Sequence, residues 1–186
     1  MKWYFVRHGE ILANLRKVYA GWGEEPLTDR GVRQAEAVAE DLAGLKPAAI
    51  YSSPLPRTMQ TAAIIGRAVG LAPVPEEGFI EIRMGPWEGM SEKAVAGEYP
   101  EEWRTWNERP DELRLEGRET LAQLRDRAMA AVARIKVAAP GDGDAVLVVT
   151  HVAVIRVLVL QAAGRPLSEY KSIEVPNCGV FPIEGL

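Results

Sequence analysis

The chain contains two histidines, and each stands directly after a short apolar run. Phe5-Val6 leads into Arg7-His8, and Val148-Val149 leads into Thr150-His151. Bulky aromatic and β-branched side chains in such runs suit strands covered on both faces. A histidine that merely fills core space is expected inside an element, not just past its end. In an open α/β sheet, ligands bind beyond the carboxyl ends of the strands. Two histidines at two strand ends therefore point to one shared site. A third run, Ile50-Tyr51, opens into Ser52-Ser53-Pro54-Leu55-Pro56-Arg57 and delivers Arg57, on the first turn of a helix, toward the same edge. Arg7 and Arg57 would then supply two planar forks. Guanidinium matches phosphate oxygens in bidentate geometry and stays charged at any working pH. Taken singly, each residue also fits a solvated strand end or an exposed helical arginine. Their coincidence at one sheet edge carries the argument.

The elements that must position these groups alternate. Lys2 to Val6 reads as the first strand, followed by a polar, irregular stretch from Ile11 to Pro26 with a tight loop at Ala20-Gly21-Trp22-Gly23. Thr28 caps a helix whose apolar positions are Val32, Ala35, Val38, Ala39 and Leu42, with Gly44 as its stop. A strand over Ala48–Tyr51 precedes a second helix carrying Thr58, Thr61, Ala62, Ile65 and Val69, stopped by Gly70; Pro73-Val74-Pro75 is a brief extended piece. Leu121, Leu124, Ala128, Ala131, Val132 and Ile135 mark a helix over Glu119–Val137. A turn at 140–144, a strand over Ala145–Val149 and a helix over Val152–Ala163 follow. Ser172–Val175 and Gly179–Ile183 read as closing strands. Strands alternating with helices predict a three-layer α/β/α fold with a mostly parallel central sheet. Residues 76–118 differ in character. They hold three of the five tryptophans, many glutamates, and short helices around Ser91–Glu98 and Pro100–Trp106. They read as a small lid over the sheet within one domain spanning 1–186, and tryptophans exposed there would mark a dimer face or a substrate pocket. Monomer and homodimer both remain open.

Bulk properties narrow the partners. With 22 Lys+Arg against 26 Asp+Glu and a net charge of -4, the chain lacks the basic balance expected of a nucleic-acid or membrane-surface binder. The single cysteine, Cys178, can form no internal disulfide, which suits a reducing cytoplasm. Neither a signal-peptide apolar region nor a membrane span is apparent. No metal or other cofactor is expected, since two distant histidines and one cysteine make a poor zinc site and no Gly-rich loop is followed by Lys.

Four pieces occur in order: Arg7-His8-Gly9-Glu10; Ser52-Ser53-Pro54-Leu55-x-Arg57-x-x-Gln60-Thr61-Ala62; Glu81-Ile82-x-x-Gly85-x-Trp87-Glu88-Gly89; and Thr150-His151. Together, over nearly the whole chain, they resemble the histidine phosphatase superfamily in its phosphoglycerate-mutase-like branch. The resemblance implies two-step, metal-independent transfer of a phosphoryl group from a small phosphorylated metabolite. By matching positions, His8 would be the nucleophile and become phosphohistidine. Arg7, Arg57 and His151 would hold the phosphoryl oxygens, with His151 protonated. Glu81 would give a proton to the leaving alcohol and then take one from water. Asn14, Ala20 and Gly21 match positions that contact the phosphoryl group or substrate. These roles meet the physical demands, since phosphoryl transfer is largely positioning and charge stabilisation. A carboxyl beside phosphate anions should have a raised pKa.

The pattern is not followed everywhere. Ile11 stands where threonine is frequent, and Arg118 replaces a glycine before the long helix. Arg118 reads either as a contact to a second anionic group or as a solvated arginine at a helix start. Arg83, two residues after Glu81, is placed among substrate-binding candidates because it would face the same side of an extended segment. The compact chain favours a phosphatase over a phosphoglycerate mutase, which usually carries a longer insertion after Trp-Glu-Gly. A non-catalytic binding module would be expected to lack one of the five groups His8, Glu81, Arg7, Arg57 and His151, and all five are present.

Overall fold

The computed structural model describes residues 1–138 and 145–186, so the turn expected at 140–144 lies outside the described residues. Its centre is a five-stranded sheet ordered β3-β2-β4-β1-β5. The strands are β1 (Lys2–Arg7), β2 (Pro47–Ser52), β3 (Val74–Pro75), β4 (Ala145–Thr150) and β5 (Val180–Ile183). All neighbours run parallel except β5, which pairs antiparallel with β1. The edge position of β5 tolerates Pro182, which has no N–H for a second partner.

The central strands alternate between two cores. Val6, Ile50, Leu147 and Val149 face α2 (Asp29–Leu42) and α3 (Pro56–Val69). Trp3, Phe5, Val146 and Val148 face α6 (Leu121–Ala138), α7 (Val152–Ala162) and the 76–118 segment. This period-two division produces the three layers predicted from sequence. No helix among the described residues is long and apolar enough to cross a membrane.

Three local readings are corrected. The stretch Ile11–Pro26 contains a short helix, α1 (Leu12–Arg16), ended by Lys17 in the left-handed region at φ 52°. Ser172–Val175 is not a strand. A 3-10 turn, Leu167–Ser172, runs into it, and its carbonyls go to arginines: Arg156 Nε donates to Ile173 O (2.8 Å) and Arg7 Nη1 to Val175 O (2.6 Å). Guanidinium groups thus satisfy backbone that a ladder would otherwise pair. The third correction concerns the lid tryptophans: Trp87 and Trp106 are buried. The segment's helices are α4 (Glu92–Glu98) and α5 (Pro100–Glu108). Trp87 packs against Tyr19, Tyr99, Trp103 and Trp106, and Trp106 lies 5.2 Å from Tyr170. The tryptophans seal the segment to the body and leave no broad aromatic face.

The turn after β1 is held unusually close to the start of α2. Thr28 caps α2, its Oγ1 accepting from Gly31 N–H (3.0 Å) and donating to Glu10 Oε1 (2.9 Å). A Cβ on Gly31 would lie 2.2 Å from Glu10 O, and one on Gly9 would lie 2.4 Å from Gly31 O. Both obstacles are backbone and cannot rotate away. Gly31→Ala should therefore destabilise the fold by about 1–3 kcal/mol, the usual range for overpacking. Gly44→Ala, with nothing within 4 Å of its added carbon, should stay within roughly 0.5 kcal/mol of the parent. Urea midpoints of the two variants, read by circular dichroism, check the contrast.

Candidate active site

Parallel pairing of β1 with β4 sets Arg7 opposite Thr150, so the next residues, His8 and His151, emerge together. Their rings sit 5.3 Å apart at 62°. His8 Nδ1 lies 2.7 Å from Gly9 O. A carbonyl can only accept, so Nδ1 carries the proton and Nε2 keeps a free lone pair. Burial, followed by the charges of Arg57 and Arg7, pushes the His8 pKa well below its ordinary value. The imidazole is a neutral, oriented Lewis base at neutral pH.

Arg57 is 1% exposed. It enters from the first turn of α3, where Pro56 occupies a position that needs no N–H. Two of its donors hold the glycine loop: Nη1 to Gly23 O (2.5 Å) and Nη2 to Gly21 O (2.7 Å). Gly21 sits at φ 47°, where a Cβ would strike the Glu88 side chain, so the residue is restricted to glycine for two reasons. The buried Nε atoms of Arg7 and Arg57 and Nδ1 of His151 have no partner. Nε2 of His151 pairs with Ser53 Oγ at 2.7 Å. Arg57 and Arg7 thus bring their charges to bear on His8, and the His151 ring lies beside it, an arrangement suited to an anion.

A cavity of about 400 Å³ is lined by Arg7, His8, Asn14, Ala20, Gly21, Arg57 and Glu81 among others. His151 lies behind this wall, fully buried. Its expected positive charge is not sustained by the protein's own field. Burial, then the charge of Arg57, lowers its pKa well below the ordinary value. The Glu81 carboxyl is raised, chiefly by burial and against the opposing pull of the Ile82 N–H, Arg57, Arg7 and Arg127. Neighbouring anions are not needed to raise it. Among the described residues, no group of three His, Cys, Asp or Glu side chains is placed to hold a metal ion.

Two expectations fail. Arg83 does not reach this cavity. Its backbone is pinned on both sides to Glu119, and its guanidinium stacks 4.2 Å over the Trp22 ring beside a separate depression. Arg118 is neither solvated nor at the cavity wall. It is buried between Trp87 (5.3 Å) and Trp106 (4.4 Å).

Sequence reasoning also missed the groups that position the site. Asn177 Nδ2 donates to His8 O (3.1 Å) and Asn14 Oδ1 (3.2 Å). It projects from a turn whose next residue, Cys178, takes φ 56° and donates its N–H to Arg7 O. Arg127 holds Glu119 through Nε (2.7 Å) and Nη2 (2.9 Å), while also donating to Gly78 O and Glu81 O at 2.9 Å each. Trp22 Nε1 adds a second donor to Glu81 O at 2.7 Å. Thr150 Oγ1 donates to Phe79 O (2.7 Å), tying the same segment to the end of β4. Apart from the pairs Arg127–Glu119 and Asn177–Asn14, these contacts run from side chain to backbone carbonyl, and all of them join distant parts of the sequence or lie outside helical spacing, so they leave no periodic signature. The one available signal was an arginine, Arg127, between the apolar positions Leu124 and Ala128 of α6.

Comparison with known proteins identifies relatives over nearly the full length. The profile of the histidine phosphatase superfamily (branch 1) matches residues 3–185. Phosphoserine phosphatase 1 of Hydrogenobacter thermophilus is 33% identical over 177 residues, covering 95% of this chain and 83% of that protein. A probable phosphoglycerate mutase, GpmB, of Yersinia pestis is 32% identical over 182 residues, covering 97% and 83%. Among solved structures, YhfR of Bacillus stearothermophilus superposes with a TM-score of 0.91 at 28% identity, covering 98% of this chain and 90% of that one.

The Arg127 network makes a prediction of its own. Losing a charge-assisted bond costs about 1.5–3 kcal/mol, or roughly tenfold or more in a local opening equilibrium. In Arg127→Met, amide exchange at Ile82 and Ala153, which both donate to Glu81 Oε1, should accelerate by that factor. Exchange along the β1–β4 ladder should not follow it. Equal acceleration of both would show global loosening instead.

Proposed function

The chain belongs to the histidine phosphatase superfamily, and on that premise we propose that it hydrolyses small phosphomonoesters through a phosphohistidine at His8, without a metal ion. The observation that carries this reading is the convergence on one cavity of His8, with Nε2 left free by the Nδ1 bond to Gly9 O, and of Arg7, Arg57 and Glu81. Nε2 attacks phosphorus in line as the ester P–O bond breaks. Charge developing on the phosphoryl oxygens is taken up by the two guanidinium groups. A dianionic phosphoryl group beside His151 opposes the depression that burial and Arg57 impose on that imidazole.

Glu81 serves as the acid for the leaving alkoxide and then as the base for water. Its carboxyl holds two backbone donors on Oε1, from Ile82 (2.9 Å) and Ala153 (3.3 Å). In the second step water attacks phosphorus, its proton passes to Glu81, and phosphate leaves with His8 regenerated. We read residues 1–186 as one domain, with 76–118 as the cover of the substrate cavity. A second reading, a mutase that returns the phosphoryl group to another hydroxyl of the substrate, rests on the 32% identity to a probable phosphoglycerate mutase. Water must reach phosphohistidine for hydrolysis, so the ratio of free phosphate to transferred phosphate separates the two readings.

Incubation of the protein with a phosphomonoester and excess chelator should release phosphate. Rapid alkaline quench should trap an acid-labile phosphoryl group on His8, and His8→Ala should lose both signals. Undiminished turnover by His8→Ala, or dependence on added metal, contradicts the proposal. Glu81→Gln should lower kcat by about 100- to 10,000-fold for alkyl esters, the usual span for general acid–base catalysis. An aryl ester, whose leaving group needs no proton, should suffer much less in the first step. The pH profile has a definite sign. The acid form of Glu81 is populated below its pKa, and burial raises that pKa. Activity on alkyl esters should persist above the ordinary carboxyl range and fall as pH rises through the raised value. That limb should be absent in Glu81→Gln. The depressed pKa of His8 keeps it neutral across the same range.

A further inference from the structure

The wall of the catalytic cavity also carries two cations that the phosphoryl-transfer chemistry leaves unused, Arg156 and Lys171. Arg156 lies in α7, five residues beyond His151. Its Nε is tied to Ile173 O (2.8 Å), and its guanidinium carbon lies 5.0 Å over the Tyr170 ring. Lys171 belongs to the 3-10 turn Leu167–Ser172. Its Nζ lies 5.1 Å over Trp106 and 5.4 Å over Trp103, with Asn107 Oδ1 as acceptor at 2.5 Å. Both residues line the same cavity as His8. Neither makes an ion pair among the described residues. An acid, Glu92, also lines the cavity and its charge acts on Lys171, but it forms no ion pair with either cation.

Two long basic side chains held at one cavity wall with no ion-pair partner are costly to maintain. Each gives up rotamer freedom, and each repels the other. Burial lowers the Lys171 pKa, and Arg156 and Arg118 lower it further against the opposing charge of Glu92. Purely structural roles would be met by the bonds to Ile173 O and Asn107 Oδ1 alone. They do not require two positive charges to face a shared solvent-filled space. The cavity's volume of about 400 Å³ suits a small metabolite that touches both His8 and these two cations.

We propose that Arg156 and Lys171 form a second anion subsite, which binds a carboxylate or a second phosphate on the alcohol portion of the substrate. The preferred substrates are therefore small phosphomonoesters with two anionic groups. This inference rests on the phosphomonoester reading of the His8 site, and deepens it by naming the substrate class. The subsite also has a fixed wall: Trp106 and Tyr170 are buried, so the two cations are preorganised by aromatic faces rather than assembled on binding.

Matched substrate pairs test it. 3-Phosphoglycerate differs from glycerol 3-phosphate by a carboxylate in place of a hydroxymethyl group. Fructose 1,6-bisphosphate differs from fructose 6-phosphate by a second phosphate. In the parent protein kcat/KM should favour the more anionic member of at least one pair by about tenfold or more, the equivalent of one charge-assisted contact. Which pair shows the preference distinguishes carboxylate from phosphate. Lys171→Met should reduce that ratio by about tenfold, mainly through KM, and Lys171→Arg should restore part of it. Arg156→Met should act in the same direction. Should that variant fold poorly through loss of the Ile173 tie, the Lys171 pair alone decides. Lys93→Met, in the neighbouring depression at the mouth, should retain the parent ratio.

Calorimetric binding of the same pairs to His8→Ala separates this inference from the catalytic reading. Preferential binding of the two-anion ligand, abolished in His8→Ala/Lys171→Met, upholds the subsite even where the parent turns over neither ester. Turnover with no preference in either pair, or a preference that survives both Lys171→Met and Arg156→Met, or one that moves with Lys93, overturns the subsite and leaves the phosphatase reading intact.

Discussion

The withdrawal of two guanidinium groups from water, Arg7 half-buried at the end of β1 and Arg57 buried in the first turn of α3, is the constraint from which the rest of the site follows. An arginine taken out of water must recover its hydrogen bonds, because an uncompensated buried charge is strongly destabilising. Here the recovery comes mainly from backbone carbonyls. Arg57 takes Gly21 O and Gly23 O, and Arg7 takes Val175 O. Those carbonyls can be offered only by chain that has left regular structure. The irregular loop after α1 and the non-ladder segment before β5 are thus consequences of the same charges. The partnering is deliberately incomplete in one direction. Carbonyls cannot neutralise a cation, and they leave the Nε donors of both arginines unpaired. The net positive field that remains is what an anionic ester needs.

The same field sorts the titratable groups. Burial depresses both histidines, and the arginines push in the same direction. For Glu81, burial raises the pKa while Arg57, Arg7 and Arg127 oppose it. Desolvation prevails, so the carboxyl can retain a proton near two cations. One set of arginines therefore helps keep the imidazole deprotonated without stripping the acid. On the proposed mechanism, this is the separation of attacking base from proton donor expected where environments drive pKa values apart. It also explains why Glu81 is anchored through its backbone. Trp22 and Arg127 both hold Glu81 O, which fixes the residue while leaving its carboxyl to carry the proton.

The strand-end histidines were legible because hydrophobic runs and topology are written locally. Four apolar residues in β1 and five in β4, each followed by a polar pair, define both the strand and where it stops. The unbroken apolar runs of β1 and β4 likewise announced a sheet covered on both faces. What escaped notice involves contacts with no sequence period. Arg127 resembles any polar position of α6 until Glu119, Gly78 and Glu81 are brought to it. Asn177 gains meaning only when the chain returns to clasp His8. Arg83 was misplaced by extrapolating an extended segment, whereas its neighbours Ile82 and Met84 enter the core and Trp22 draws its guanidinium outward. Arg118 was misjudged because helix-start arginines are usually wet. Two tryptophan faces make burial acceptable here through cation–π attraction. The strand expected at Ser172–Val175 failed for a related reason, since arginine side chains claimed its carbonyls.

Packing of the 76–118 segment ties specificity to stability. Trp106 belongs to the larger core, lies beside Arg118 and Tyr170, and also lines the cavity. Lys171 reaches across it to Asn107 of α5. The cavity wall that Lys171 shares with Trp106 and Tyr170 is thus made from the same side chains that hold the segment down. A change of substrate preference by substitution at Trp106 would open core volume, and core truncations of large aromatics cost about 3–5 kcal/mol. Lys171 stands on the solvent side of that wall and carries charge instead of volume. It can be exchanged without hollowing the core. Recognition of new leaving groups is therefore expected to vary through Lys171 and its neighbours at the rim, while Trp87, Trp106 and the guanidinium cluster stay fixed.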